Sequence, residues 1–280
     1  MAASPEPPQP EALAVRVWIA RRRQNRDALD NITGPALSRE AFLTALRQTF
    51  VPATPQLMAP LGLLAYFPTL PPVVDAYPDL PEETALVFYS SRDAYDIARR
   101  TPSGRLYAAS HGLYFDALAA RWPERWQPGD ASVPGQAYCG PAHRDGDWNE
   151  GQVWTFMLAW QDAPVTDSWM RDLCAPCLAG IAPIRQWVAH YTDGCLVVWF
   201  HSPQPATAQA LQIRQALRDA RLPGAPDTIY LHAARDVTVA ALTEPGSGLD
   251  FHEDETLHVC YRPPIAPPPA SPGPDASAPP

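Results

Sequence analysis

Cys174 and Cys177 enclose Ala175-Pro176 in a Cys-x-x-Cys pair, a spacing that lowers thiol pKa at a helix start and supports disulfide exchange. Trp169, Met170 and Leu173 already set up a helical stripe upstream, and Cys177 lies on it. The pair is therefore read as small core residues, with a thiol oxidoreductase as the lesser alternative. No second Cys-x-x-Cys completes a four-thiolate zinc site. Asp145, Asp147 and Asn149 alternate like the opening of a calcium loop, but Gly151 falls one place late and Phe156 stands where a bidentate glutamate belongs. His252, Asp254, His258 and Cys260 share strand parity, yet a straight strand would spread them over about 26 Å at ~3.3 Å per residue, too far to share one ion. They are read as the polar side of an exposed strand, and no metal site is expected.

All 21 basic residues are arginine; there is no lysine. That excludes Walker-type phosphate loops, Schiff-base enzymes, the kinase strand lysine and Ser-Lys dyads. There is also no Gly-x-Ser-x-Gly elbow and no His-Glu-x-x-His. A net charge of -9 argues against a nucleic-acid binder, because affinity for phosphate backbones comes from clustered cations. The one basic run, Arg21-Arg22-Arg23 with Arg26, follows the first strand and is read as a solvated strand end.

The elements that would position any site come from periodicity. Val153 to Trp160 is an apolar run of strand length, and Met170, Leu173, Cys177, Ile181 and Ile184 then recur at helical spacing. Trp187 to Thr192 and Cys195 to His201 are strands joined by Asp193-Gly194, a strong hairpin signal. A second amphipathic helix begins at Thr207, and Thr228 to Ala233 closes a βαββαβ unit. In the first half, Val15 to Ala20 is a strand. Ser38 caps a helix bearing Phe42, Leu43, Leu46 and Phe50, and Leu37 is placed to staple it. Leu61 to Phe67 and Thr84 to Ser90 are strands, and Ser90 to Asp93 opens a helix through Arg100. Helix resumes after Gly104 with Leu106, Leu113 and Leu118 as its apolar residues, and Ala131 to Cys139 supplies a last strand.

The expected fold is α+β, two tandem ferredoxin-like modules with antiparallel sheets. Residues 1–10 form a Pro-rich tail, 11–140 the first module, 141–150 a linker, 151–262 the second module and 263–280 a second Pro-rich tail. This element order resembles the dimeric α+β barrel superfamily, which includes small monooxygenases, chlorite dismutase-like haem proteins and dye-decolourising peroxidases. No Gly-x-x-Asp-Gly haem signature is present, so the resemblance carries no peroxidase assignment. No apolar run reaches the roughly 20 residues that span a bilayer. With five cysteines, reduced thiols and a cytoplasmic location are expected.

Strand parity supplies the candidate site. A two-residue turn pairs Tyr191 with Leu196, Ala189 with Val198 and Trp187 with Phe200 on a face suited to helices. The opposite face then carries His190 and Trp199, with Tyr230 and His232 beside them. These four are the candidate ligand- or partner-binding residues; a covering second module is the bland alternative. Negative charge, nine tryptophans and no readable catalytic set give the leading expectation. It is a non-catalytic cytosolic binding protein for a basic protein partner, with a toxin-neutralising immunity protein as one form and no cofactor. The alternative is a haem-binding or small-molecule-transforming enzyme of the α+β barrel type, with His190 or His232 as acid–base group or axial ligand.

Overall fold

The computed structural model describes residues 14–23, 36–72, 77, 80–126, 133–140, 148, 151–159, 186–192, 194–202, 227–237 and 257–262. It is a mixed α+β structure built on two six-stranded, mainly antiparallel sheets.

In the first sheet, β1 (Ala14–Arg22) pairs with both β3 (Glu83–Tyr89) and β4 (Phe115–Arg121), and β3 pairs with β2 (Leu63–Leu70). Helices connect these strands on the outer side. Ser38 caps α1 (Arg39–Ala45) by accepting from the Ala41 amide at 3.1 Å, and Leu37 packs against the same core. The chain widens into π geometry over Leu46–Phe50 before α2 (Val51–Met58), where Pro52 and Pro55 lack the amide donors of a regular helix. Ser91 caps α3 (Arg92–Arg100) through the Ala94 amide, and Thr101 caps α4 (Pro102–Tyr114) through the Gly104 amide.

In the second sheet, β7 (Gln152–Ala159), β8 (Gln186–Tyr191), β9 (Cys195–Ser202) and β10 (Asp227–Ala233) stand in the order β10-β7-β9-β8. This repeats the β4-β1-β3-β2 order of the first sheet. The short strands that follow each set cross over. β5 (Glu124–Arg125) and β6 (Ala137–Cys139) extend the second sheet beyond β8, while β11 (Arg235–Val237) and β12 (Leu257–Tyr261) extend the first beyond β2. Tyr191 pairs with Leu196, Ala189 with Val198 and Trp187 with Phe200, the register expected of a two-residue turn, and the Thr192 amide closes it on the Cys195 carbonyl at 2.8 Å.

Burial follows parity. Val17, Ile19, Phe67, Leu86 and Phe88 of the first sheet meet Val153, Met157, Val188, Val197 and Trp199 of the second in one sheet-on-sheet core. Thr69 and Thr155 hydrogen-bond across it at 3.3 Å. On the outer side of the first sheet, Tyr66, Ala85 and Tyr89 pack under Phe42, Leu46, Phe50 and Met58.

Four local expectations are corrected. The helix after Gly104 stops at Tyr114, and Leu118 belongs to a strand whose pairing with β1 outweighs its helical spacing. Leu106 and Leu113 are solvent-exposed, because the inward stripe of α4 is Gly104, Tyr107, His111 and Tyr114. Ala137–Cys139 joins the second sheet, not the first. The strand holding His258 and Cys260 is no exposed edge: paired with β2, it buries Val259 and Tyr261. Cys174, Cys177, Asp145, Asp147, Asn149, His252, Asp254 and the helix from Thr207 lie outside the described residues. Among the described residues, no helix is long and apolar enough to cross a membrane, and no three His, Cys, Asp or Glu side chains gather as a metal site.

Candidate active site

Two of the expected site residues, Trp199 and His190, lie at the interface between the sheets. Trp199 is completely buried there, and His190 is 2% exposed. Burial, with the charge of Arg121 adding to it, pulls the His190 pKa down to about 4 against a backbone contact with Gly135. Register sets Tyr230 opposite Met157 and His232 opposite Thr155, two positions of the inter-sheet core. An axial haem role does not fit His190. Its neighbours along and across the strands, Val188, Val197 and Ala137, are themselves packed core, so a porphyrin would have to part the sheets.

A cavity of about 270 Å³ lies instead on the other side of the first sheet, beneath the helices. Strand alternation builds its floor from Trp18 on β1, Tyr66 on β2 and Glu83, Ala85 and Val87 on β3. Phe50 and Thr54 with Tyr107 and His111 of α4 form the roof. The small side chain of Ala85 leaves the floor low, and Gly104 lets α4 pack close on α3, where a β-carbon would fall 2.0 Å from the Ala98 carbonyl oxygen.

The floor carries polar atoms without partners. Glu83 is 1% exposed, and neither carboxyl oxygen completes a hydrogen bond. Burial raises its pKa from the ordinary 4.5 to about 8, with the Trp18 indole opposing the shift. At neutral pH it is a carboxylic acid. Its neighbour Glu82 has the opposite fate: it accepts from the Arg22 amide at 3.0 Å and pairs with the Arg22 and Arg39 guanidinium groups. Trp18 Nε1 and the fully buried Tyr66 hydroxyl likewise complete no hydrogen bond. Burial and the adjacent Glu83 hold the Tyr66 phenol well above its usual pKa, against the Thr54 hydroxyl. Glu83, Tyr66 and Trp18 thus offer three neutral donors from three adjacent strands.

The roof supplies a base. His111 Nδ1 lies 2.9 Å from the Tyr107 carbonyl, which can only accept, so Nδ1 carries the proton and Nε2 keeps its lone pair. Burial lowers the His111 pKa, which keeps the ring neutral near pH 7. Trp18, Phe50 and Tyr107 hold the ring edge-on at centroid distances of 4.9, 4.9 and 4.6 Å. Thr54 ties the roof together, donating to the Phe50 carbonyl at 3.0 Å and sharing a 2.9 Å hydrogen bond with the Tyr107 hydroxyl.

Sequence reasoning missed this set. Glu83 has the parity of Ala85, Val87 and Tyr89, which was the available signal. Gly104, Tyr107, His111 and Tyr114 form a helical stripe that a purely aliphatic count passes over.

No family model matches the sequence, and no curated protein does. Among solved structures, the chain is similar to a "putative monooxygenase" from Lactobacillus acidophilus NCFM at 8% identity and TM-score 0.35, covering 80% of this chain and 94% of that one. A protein so described from Fusobacterium nucleatum shows 9% identity and TM-score 0.35, over 79% and 93% of the two chains. An anthrone oxidase-like protein shows 10% identity and TM-score 0.28, over 79% and 92%. The expected non-catalytic binding protein of immunity type is corrected: these neighbours are described as oxygenases or oxidase-like, not as binding proteins. Among the described residues, the tryptophans invoked for a partner surface are also largely interior. Trp126, Trp148, Trp154, Trp187 and Trp199 are buried, and Trp18 and Trp122 are half-buried.

Proposed function

We propose that the protein is a small-molecule-transforming enzyme that moves a proton at a carbon beside a carbonyl group. One observation carries the reading: three buried polar groups that complete no hydrogen bond, Glu83 beside the Trp18 indole and Tyr66 beside the Thr54 hydroxyl, line a single apolar cavity that also holds a neutral imidazole. Buried polar groups are nearly always hydrogen-bonded, and several exceptions at one cavity suit a bound ligand oxygen. In this scheme His111 Nε2 takes the proton from carbon. The carbon–hydrogen electron pair becomes the enol double bond, and the carbonyl pair moves onto oxygen. Glu83, Tyr66 and Trp18 donate hydrogen bonds to that oxygen, and a carboxylic acid kept neutral by burial suits this task. The imidazolium then returns its proton to carbon or oxygen. Each step uses this chain's own side chains, without a prosthetic group.

We further propose that the two sheets belong to two tandem ferredoxin-like modules in the manner of the dimeric α+β barrels. The repeated strand order and the exchange of short strands between the sheets support that reading.

The test is hydrogen exchange beside the carbonyl of tetralone, a two-ring ketone, followed by NMR in heavy water. The protein should accelerate exchange, Glu83→Gln should slow it by about 10²-fold or more, and His111→Gln should do likewise. Exchange at the buffer rate, or unchanged rates in both variants, contradicts the proposal.

A further inference from the structure

The cavity has a second, chemically different end. Arg16 lines it from β1, two positions before Trp18, and Arg99 lines it from α3. Arg16 is half-buried and makes no ion pair or hydrogen bond among the described residues. Its contacts are ring faces: the guanidinium carbon lies 4.5 Å from the Tyr95 centroid and 5.6 Å from that of Trp122. Arg99 approaches Tyr95 at 5.6 Å. Asp96 acts on Arg16 electrostatically, without an ion pair among the described residues, and Arg99 acts with the opposite sign. Ring faces offset the charge of a guanidinium, but they leave its five in-plane N–H donors unused. A half-buried cation with free forked donors at the end of an apolar cavity is built to receive a planar anion, a carboxylate above all.

Register gives the spacing. Arg16 pairs with Val87 and Ala20 pairs with Glu83, so the two ends stand four residues apart along the sheet, about 13 Å between backbone positions at ~3.3 Å per residue. Both side chains line the same space, and the volume is just below the ~300 Å³ at which typical small-molecule sites begin. The floor and roof between them are aromatic and aliphatic: Trp18, Ala85, Val87 and Tyr107.

We infer that the cavity takes a flat aromatic acid of one or two rings, its carboxylate held by Arg16 with Arg99 alongside and its reacting carbonyl directed to Glu83. This substrate class rests on the reading of the cavity as a proton-transfer site, but the anion subsite stands on separate residues and is tested separately. Calorimetry with naphthoate and its neutral counterpart naphthamide reads it directly. The wild-type protein should bind naphthoate at least about tenfold more tightly, the gain expected from hydrogen bonds to a charged group. Arg16→Gln should bring the ratio close to one. Arg16→Lys should retain part of the preference, since the charge stays and the fork is lost; a thermal melt of each variant checks folding. Equal binding of acid and amide, an undiminished preference in Arg16→Gln, or binding of neither compound would overturn the inference. Loss of the preference with tetralone exchange intact removes only the anion subsite. Intact preference without exchange removes only the proton-transfer reading.

Discussion

The first sheet has two buried faces, and polar atoms fare differently on them. Toward the second sheet, Val17, Ile19, Phe67, Leu86 and Phe88 interlock with Val197 and Trp199. His190 Nε2 and Trp199 Nε1 lie unpaired in that core but do not line the cavity. Toward the helices, Trp18, Tyr66 and Glu83 complete no hydrogen bond either, and there they share one space large enough for a ligand. The same strands supply both faces, so parity alone decides which residue goes where. Sheet-on-sheet packing closes the inner layer. Under the helices a space of about 270 Å³ remains, over the small side chain of Ala85. An orphaned polar atom becomes a candidate for chemistry where it meets other orphans and room.

The largest expected effect tests the inner face. Trp199→Ala should cost about 3–5 kcal/mol in chemical denaturation, the usual range for truncating a buried aromatic, while naphthoate binding per folded molecule stays unchanged. A binding defect with little loss of stability would move the site to the inner face.

Next come the opposite pH responses of the two layers. Glu83, with its pKa raised from 4.5 to about 8, contributes stability that is fully present below pH 4.5 and is lost as pH rises through about 8. The loss should amount to a few kcal/mol, and Glu83→Gln should flatten that limb of the stability curve. His190, with its pKa lowered from 6.5 to about 4, contributes stability that is present above pH 6.5 and is lost as pH falls through about 4. Urea midpoints measured across pH in both proteins check the signs; a Glu83→Gln curve parallel to wild type would break the comparison.

Smaller effects follow at the cavity roof and outside it. Thr54→Val leaves the Tyr107 hydroxyl without its partner and should cost about 1–3 kcal/mol, with weaker ligand binding. Leu106→Gln, on the exposed side of α4, should change stability by less than about 0.5 kcal/mol.

The hairpin register was legible because Asp193-Gly194 fixes loop length and alternation then fixes every pair. The cap at Ser38 was legible from local side-chain chemistry, whereas the Ser90 to Asp93 motif announced the next helix but set its start one residue early, the cap being Ser91. A module covering the His190 face was among the readings parity allowed, but which strands do the covering was not legible, because that depends on segments distant in sequence. β5 and β6, and likewise β11 and β12, cross to the opposite sheets, and no local pattern encodes such a crossing. α4 misled for a further reason: its inward residues are glycine, tyrosine and histidine, while two of its leucines face solvent. Residues suited to a cavity are those that aliphatic periodicity does not count.

The central claim is that Glu83 is a neutral acid inside an open cavity, and its own titration tests this most directly. With glutamate carboxyl carbons labelled and Glu83→Gln used for assignment, the Glu83 resonance should titrate near pH 8. A midpoint near 4.5, the value of an ordinary exposed glutamate, would contradict the account.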